Sequence, residues 1–338
     1  MLGFFIMDSR IKEKLFKYGS FPLSLSYLST QKKFYENSEG LVAHETRGQY
    51  FIMAGEPIVW GNLSLFFEKF FSDLKSKSLY LCGYYVSNEF KRTVLSNLDQ
   101  LVGRSLEFEK CGTSSIIELN EWELNGAQST EVRRALNHSV KQGFEIRRMQ
   151  GPQASLELSQ SLRMCFDQWR QKKGILDIKF LITSKPPEPN FWNDYEEWYI
   201  CYHESEVIAY LSWLPYGQDG RYLNQMIQNP NGHRFGLDAL IAESLCDFKE
   251  QDVKEVSLGL NPFNSLSLGV DKRGLMKFAS YFLPKYSSEG LAYYKSKFGK
   301  TKQRPRYIFW EKEKGFMPAS LAMTRASFDF YRRGVSEL

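Results

Sequence analysis

No apolar run in this 338-residue chain approaches the ~18 residues that a membrane-crossing helix needs. The longest, Leu2 to Met7 and the interrupted stretch Leu63 to Phe71, are far shorter. The first is followed by Asp8 and lacks both a leading basic stretch and a small-residue cleavage signal, so no secretory leader is expected and the cytoplasm is the default location. Cysteine is scarce and odd in number: Cys82, Cys111, Cys165, Cys201 and Cys246 form no CxxC pair and stand at no metal-ligand spacing from a histidine. That argues against a disulfide framework and against a metal site, and leaves five reduced packing residues. The four histidines, His44, His138, His203 and His233, are scattered, with no HExxH, GxSxG or GxxxxGK[ST] motif. Metallohydrolase, serine hydrolase and P-loop readings therefore find no support.

What is present is a globular composition, 43% hydrophobic, 25% charged and 15% aromatic. Because single cores stop growing beyond roughly 250 to 300 residues, two domains are expected. The turn-rich segment Gly151 to Ala154 suggests the boundary, giving lobes 1–150 and 151–338. Both lobes read as alternating helices and short strands, an α/β pattern with mixed sheets. In the second, helix Leu156 to Lys172 leads through a loop with Pro186, Pro187 and Pro189 to a predicted hairpin, Glu197 to His203 and Val207 to Leu214. A strand Arg221 to Ile227, a polar loop, a helix Phe235 to Lys249 and a strand Glu255 to Leu260 come next. Asn261 closes that last strand, at the edge where ligands sit in open α/β sheets, although it equally suits a turn before Pro262. His233 lies in the loop before the helix, whose free N–H groups favour an anionic ligand.

The net charge of +5 is modest, but two segments concentrate it. The helix predicted from Thr130 to Gly143 carries Val132, Leu136 and Val140 on one stripe, and Arg133, Asn137 and Lys141 on another, beside Arg134 and His138. The tail from Lys285 to Arg306 holds seven basic residues, Lys285, Lys295, Lys297, Lys300, Lys302, Arg304 and Arg306, against one acid, Glu289. Its tyrosines, Tyr286, Tyr293, Tyr294 and Tyr307, suit either RNA or an anionic lipid surface.

Several segments, taken in order, resemble the C-terminal domain of phosphatidylglycerol lysyl- and alanyltransferases. They are Ala54-Gly55-Glu56-Pro57, Leu79 to Ser87, Arg133 to Asn137 before Gly143-Phe144, Asn229-Pro230-Asn231-Gly232 leading into Leu237 to Ile241, and Leu258 to Pro262. The most specific is Leu291 to Tyr307, where Lys295, Lys297, Phe298, Pro305, Arg306 and Tyr307 match a Phe-Lys-x-Lys-Phe and Pro-Arg-Tyr pattern, with Tyr294 at its first position.

The resemblance implies two tandem GNAT-like lobes, related to the Fem peptidyltransferases, that take an aminoacyl group from charged tRNA, usually to phosphatidylglycerol. Aminoacyl-tRNA would be a co-substrate, with no cofactor and no metal. The partners would be that tRNA and an anionic phospholipid, with the inner membrane face as a possible location. Lys295 and Lys297 would steady developing negative charge, assisted by Arg304 and Arg306, while Arg133, Arg134 and Lys141 would meet tRNA phosphates. Asn224 and Ile227 stand where the family tends to have an acid and an arginine, so Asn224 joins Asn261 among the catalytic candidates and lipid specificity becomes an open matter. The family's N-terminal membrane region is not within this sequence, which fits a stand-alone relative or a piece of a longer protein. A CoA-dependent N-acyltransferase and a catalytically silent tRNA- or membrane-binding relative are the alternatives.

Overall fold

A computed structural model describes residues 9–25, 28, 33–101, 104–151, 154–173, 194–233, 235–263 and 288–327. Pro186, Pro187, Pro189, Lys285 and Tyr286 lie outside the described residues. Along the chain come α1 (Ser9–Tyr18), β1 (Lys33–Glu36), β2 (Gly40–Arg47), β3 (Tyr50–Ala54), β4 (Ile58–Val59), α2 (Leu63–Ser76), β5 (Tyr80–Ser87), α3 (Asn88–Leu101) and β6 (Leu106–Glu118). After them stand α4 (Thr130–Gln142), β7 (Glu145–Gln150), α5 (Leu156–Lys173), β8 (Glu197–His203), β9 (Glu206–Tyr216), β10 (Gly220–Gln228), α6 (Gly236–Glu250), β11 (Glu255–Pro262), α7 (Ser288–Ser296), β12 (Thr301–Glu311) and α8 (Phe316–Ser327). None of the described helices is long and apolar enough to cross a membrane. All five cysteines are free thiols, and all but Cys246 are buried.

The described residues divide into two compact units, one running to Cys111 and resuming at Pro305, the other from Gly112 to Arg304. The expected boundary after residue 150 is thus displaced to a point inside β6. The physical reason is strand pairing: β7 ends at the turn-rich segment, but it is laddered antiparallel to β8, so residues 112–150 belong to the second unit.

In the first unit, β1, β2 and β3 form an antiparallel run, β3 pairs parallel with β5, and the second half of β12 pairs antiparallel with β5. Helix α2 covers this sheet because Phe66, Phe67, Phe70 and Phe71 recur on one helical face and are all buried. Its start is fixed by Asn62, whose side chain accepts a bond of 3.0 Å from Leu65 N–H.

In the second unit, the order is the second half of β6, then β11, β10, β9, β8 and β7. The predicted hairpin forms with a two-residue turn, Glu204-Ser205, both at positive φ (50° and 69°), which matches the twist of the flanking strands. One sheet face packs on α4 and α6 through Leu211, Trp213, Leu240 and Phe248; the other packs on α5 through Leu162, Phe166, Trp198 and Tyr210. Helix α4 stops at Gly143, left-handed at φ 68° with open space where a Cβ would stand. Gly143→Ala is expected to cost about 1 kcal/mol through backbone strain alone, read as a lower urea midpoint with an unchanged m-value.

Candidate active site

Strands β10 and β11 are parallel, yet only Gly220 to Tyr222 pair with Glu255 to Ser257. Beyond that point each continues with its outer neighbour, β10 to Gln228 along β9 and β11 to Pro262 along β6. The two middle strands therefore part, and both carry an irregularity there: β10 between Leu223 and Gln225, β11 between Ser257 and Leu260. Gly259 takes φ 79°, a conformation that β-carbon sterics penalise, and so allows the kink.

Lys295 occupies this opening. Its helix α7 is anchored by Tyr294, packed against the α4/α6-side core, and Phe298 just beyond α7 is buried within that core. Lys295 Nζ donates to the Leu260 carbonyl at 2.9 Å. A Cβ placed on Gly259 would lie 3.8 Å from both Lys295 Nζ and the Leu223 carbonyl oxygen, so the amine sits between the parting strands. The residue is 4% exposed, and burial alone pushes its pKa down to about 7. Desolvation disfavours the ammonium, and no charge among the described residues opposes it.

Beside Lys295 lies a polar network drawn from three strands. Asn261 Nδ2 donates to Ser115 Oγ at 2.7 Å and to Gln303 Oε1 at 3.3 Å; Gln303 Nε2 donates to Ser115 Oγ at 2.9 Å, and Thr113 Oγ1 donates to Gln303 Oε1 at 2.7 Å. These bonds fix the orientation of the Asn261 amide and leave its fully buried Oδ1 without a partner among the described residues. Asn261 is thus held within the strand rather than capping a turn. Asn224 sits at the β10 irregularity, with Nδ2 donating to Glu196 Oε1 at 2.7 Å and Oδ1 unsatisfied. Among the described residues, its neighbour Gln225 has neither amide atom bonded, nor has Ser212 Oγ, its cross-strand partner. Each such buried polar group costs about 1–3 kcal/mol. Several on one patch would make a large fraction of a protein's marginal stability, which points to a role other than packing.

The remaining predicted residues are distributed differently. Arg133 folds back onto its own unit, donating to the Leu124 and Gly126 carbonyls at 2.5 and 2.8 Å. Arg134 is exposed and pairs with Glu131 at 2.5 Å; Lys141 is exposed. Val140, expected on the buried stripe, is instead 80% exposed, because α4 ends there and only Val132, Ala135 and Leu136 reach the core. Lys297 lies 5.3 Å over the Tyr294 ring and close enough to Asp238 to favour its carboxylate form, against the stronger effect of burial. Arg304 forks onto Glu255 at 2.6 and 3.1 Å, and Lys302 bonds Glu118. Arg306, in the first unit, is buried 4.9 Å over the Tyr85 ring and 3.9 Å from Glu56. Much of the tail's charge is therefore matched by acids far away in sequence.

The histidines are not all scattered. His138, His203 and His233 gather around Phe144 and Phe235, with His138 and His233 centroids 5.1 Å apart. Among the described residues no group of His, Cys, Asp and Glu could hold a metal. A separate cavity of about 300 Å³ is lined by Glu118, Glu121, Trp122, Glu123, Lys300 and Lys302, and none of the residues at the strand opening borders it.

Comparison with protein families matches residues 13–309 to the family described as phosphatidylglycerol lysyltransferase, C-terminal. Comparison with curated protein sequences gives no match. Among solved structures, L-PGS from Bacillus licheniformis is similar at TM-score 0.76 and 20% identity, covering 97% of this chain and 99% of that one. The C-terminal domain of a proposed lysylphosphatidylglycerol synthetase from Agrobacterium fabrum is similar at TM-score 0.77 and 17% identity, covering 97% and 98%. FemX is similar at TM-score 0.55 and 9% identity, covering 91% and 97%. At these identities the structures speak for a shared fold.

Proposed function

Since the chain belongs to the phosphatidylglycerol lysyltransferase C-terminal family, matched over residues 13–309, we propose that it transfers an aminoacyl group from aminoacyl-tRNA to a hydroxyl of a lipid such as phosphatidylglycerol. The observation that carries this reading is Lys295, a buried lysine at the parting of β10 and β11 whose pKa is pushed down to about 7. An aminoacyl ester is already activated, so the reaction requires alignment, a base for the attacking hydroxyl and an acid for the departing tRNA oxygen. One lysine near pKa 7 serves both needs. As the free amine it takes the hydroxyl proton while the alkoxide attacks the ester carbonyl, and as the ammonium it returns that proton to the ribose oxygen as the old ester bond breaks. The proton balance closes without a cofactor. The family resemblance implies that Lys295 steadies developing negative charge; its burial favours this proton-transfer role instead. Asn261, held rigid by Ser115 and Gln303, flanks the reacting groups, whereas Lys297 stands over Tyr294 beside Asp238.

Arg134 and Lys141, exposed on α4, suit contacts with tRNA phosphates, whereas Arg133 is occupied by backbone carbonyls. Replacing Arg134 and Lys141 by alanine, singly, is expected to weaken tRNA binding and to lower the slope of log affinity against log salt by roughly one each. Arg133→Ala is expected instead to lower the thermal midpoint, with that slope unchanged; filter binding across a salt series and a melting curve read both outcomes. The activity itself is tested by incubating the protein with a pool of tRNAs charged with radiolabelled amino acids and phosphatidylglycerol vesicles. Label in the lipid fraction, lost in the Lys295→Met variant, is the expected result. Label confined to water-soluble products would point to another acceptor.

A further inference from the structure

Helix α1 belongs to the first unit, and its two faces differ in chemistry. At about 3.6 residues per turn Ile11 and Leu15 share one face. Leu15 is fully buried, Ile11 half-buried, and the helix packs through them against β4. Arg10, Glu13 and Lys17 fall on the opposite face and are all exposed. Along the helix four cations, Arg10, Lys12, Lys14 and Lys17, stand against the single acid Glu13, and Lys14 is matched by Glu36 of β1 at 2.6 Å. Large rings flank the charged face. Phe16 and Tyr18 are 40% and 36% exposed, and half-buried Trp60 has its ring centroid 6.2 Å from that of Tyr18. A lysine ammonium covers each ring: Lys12 lies 5.9 Å over Phe16, Lys17 5.2 Å over Tyr18 and Lys14 3.9 Å over Trp60.

Exposed rings and cations side by side suit two kinds of polyanion, RNA and a bilayer with anionic head groups. The arrangement favours the bilayer. A stacking base needs an open ring face, and here one face of each ring is taken by an ammonium. Rings edged by cations match instead the membrane boundary, where aromatic bodies rest at head-group depth and lysines reach up to the phosphates. The sequence adds an independent sign. With only Asp8 between, α1 is preceded by the run Leu2-Gly3-Phe4-Phe5-Ile6-Met7, which lies outside the described residues and carries no charged or hydrogen-bonding side chain. An apolar run joined to a basic helix gains from hydrocarbon and gains nothing from a phosphodiester chain.

We propose that the outer face of α1 docks the first unit on an anionic bilayer, Arg10 and Lys17 meeting lipid phosphates while Phe16, Tyr18 and Trp60 enter the head-group layer. The docking rests on the lipid-transfer reading above for its purpose, but not for its test. The full chain is sedimented with vesicles of phosphatidylcholine alone and of phosphatidylcholine mixed with phosphatidylglycerol, for wild type, the double variant Arg10→Gln, Lys17→Gln, and Phe16→Ser. Affinity for tRNA and the melting midpoint are read on the same samples. Wild type should bind only the mixed vesicles, and less tightly as salt rises. The double variant should lose about twentyfold in vesicle affinity, roughly fivefold per cation, with its melting midpoint and tRNA affinity unchanged; Phe16→Ser should lose several-fold. With charged tRNA, the double variant should transfer less to phosphatidylglycerol in vesicles while matching wild type on water-soluble dihexanoyl-phosphatidylglycerol. A wild type that ignores the mixed vesicles, or a double variant that binds them as wild type does, overturns the docking. Vesicle binding intact with tRNA affinity lost overturns it too, and makes α1 an RNA surface. Vesicle binding that depends on these cations, without transfer to either lipid, retains the docking and overturns the transfer reading.

Discussion

Lys295→Met should lower aminoacyl transfer by about a thousandfold, the scale of losing a positioned acid–base group together with its electrostatic support, while leaving a folded protein. Methionine fills similar volume without a charge, so a misfolding explanation is answered by stability measured on the same samples. That stability should increase. The folded-state pKa, about 7, lies below the ordinary lysine value, so between these two pH values the unfolded chain binds the proton and the folded one does not. Wild-type stability therefore rises with pH from about 7 toward 10, and below 7 the full penalty of a buried ammonium is present. The methionine variant lacks this slope, so its advantage in urea unfolding should be larger at about pH 7 than at about pH 9.5. Wild-type transfer should itself rise about tenfold per pH unit below 7 and level above it, because the free amine is the active form. Lys295→Arg keeps the charge but cannot release its proton near neutrality, and should be as inactive as the methionine variant. An arginine variant with near-normal rates would return Lys295 to the role of a fixed charge.

The second large effect concerns stability. Phe70→Ala should destabilise the first unit by about 3–5 kcal/mol, the usual cost of deleting a buried aromatic ring and leaving its cavity. Phe70 is fully buried, with ring centroids 4.9 Å from Tyr35, 5.1 Å from Phe51, 5.5 Å from Phe71 and 5.8 Å from Phe66. Rings so close cannot collapse onto a vacancy without breaking their edge-to-face arrangements. Denaturant unfolding followed by near-ultraviolet circular dichroism reads the change. Phe70→Leu should recover more than half the loss, and an equal loss for both substitutions would mean that backbone rearrangement, not cavity formation, sets the cost.

Much of the second unit was legible in the sequence because its elements announce themselves locally. The hairpin around Glu204-Ser205, the helix before the Gly143 stop and the strand–loop–helix–strand unit all rest on periodicity and turn chemistry within a few residues. Strands β1 and β2 gave no such signal: Lys33–Glu36 and Gly40–Arg47 mix polar and apolar residues and gain their strand character from pairing with one another and with β3. The candidate site was legible as a set of residue types rather than as an arrangement. Lys295 stood out by motif resemblance, but its loss of charge depends on burial that no spacing encodes. Counting charge along the tail exaggerated the positive surface, because Glu118, Glu255 and Glu56 are remote in sequence from the cations they meet. Gln225 and Ser212 were missed for a related reason: neither forms a motif, and they are joined only by antiparallel register and a one-residue irregularity.

The first unit is closed by a strand that arrives last. Its β5 edge waits for Ile308, Phe309 and Trp310, which are made more than two hundred residues after Cys82, Gly83 and Tyr84, their partners. On a ribosome the amino-terminal third would therefore emerge with its aromatic core assembled along one side only, while the whole second unit is synthesised in between. Closing so long a loop is slow, and throughout that interval β5 presents an open ladder to any other extended chain. Nascent chains of this protein should accordingly bind chaperones most strongly not early in synthesis but over the long middle stretch, and release them only when β12 clears the exit tunnel.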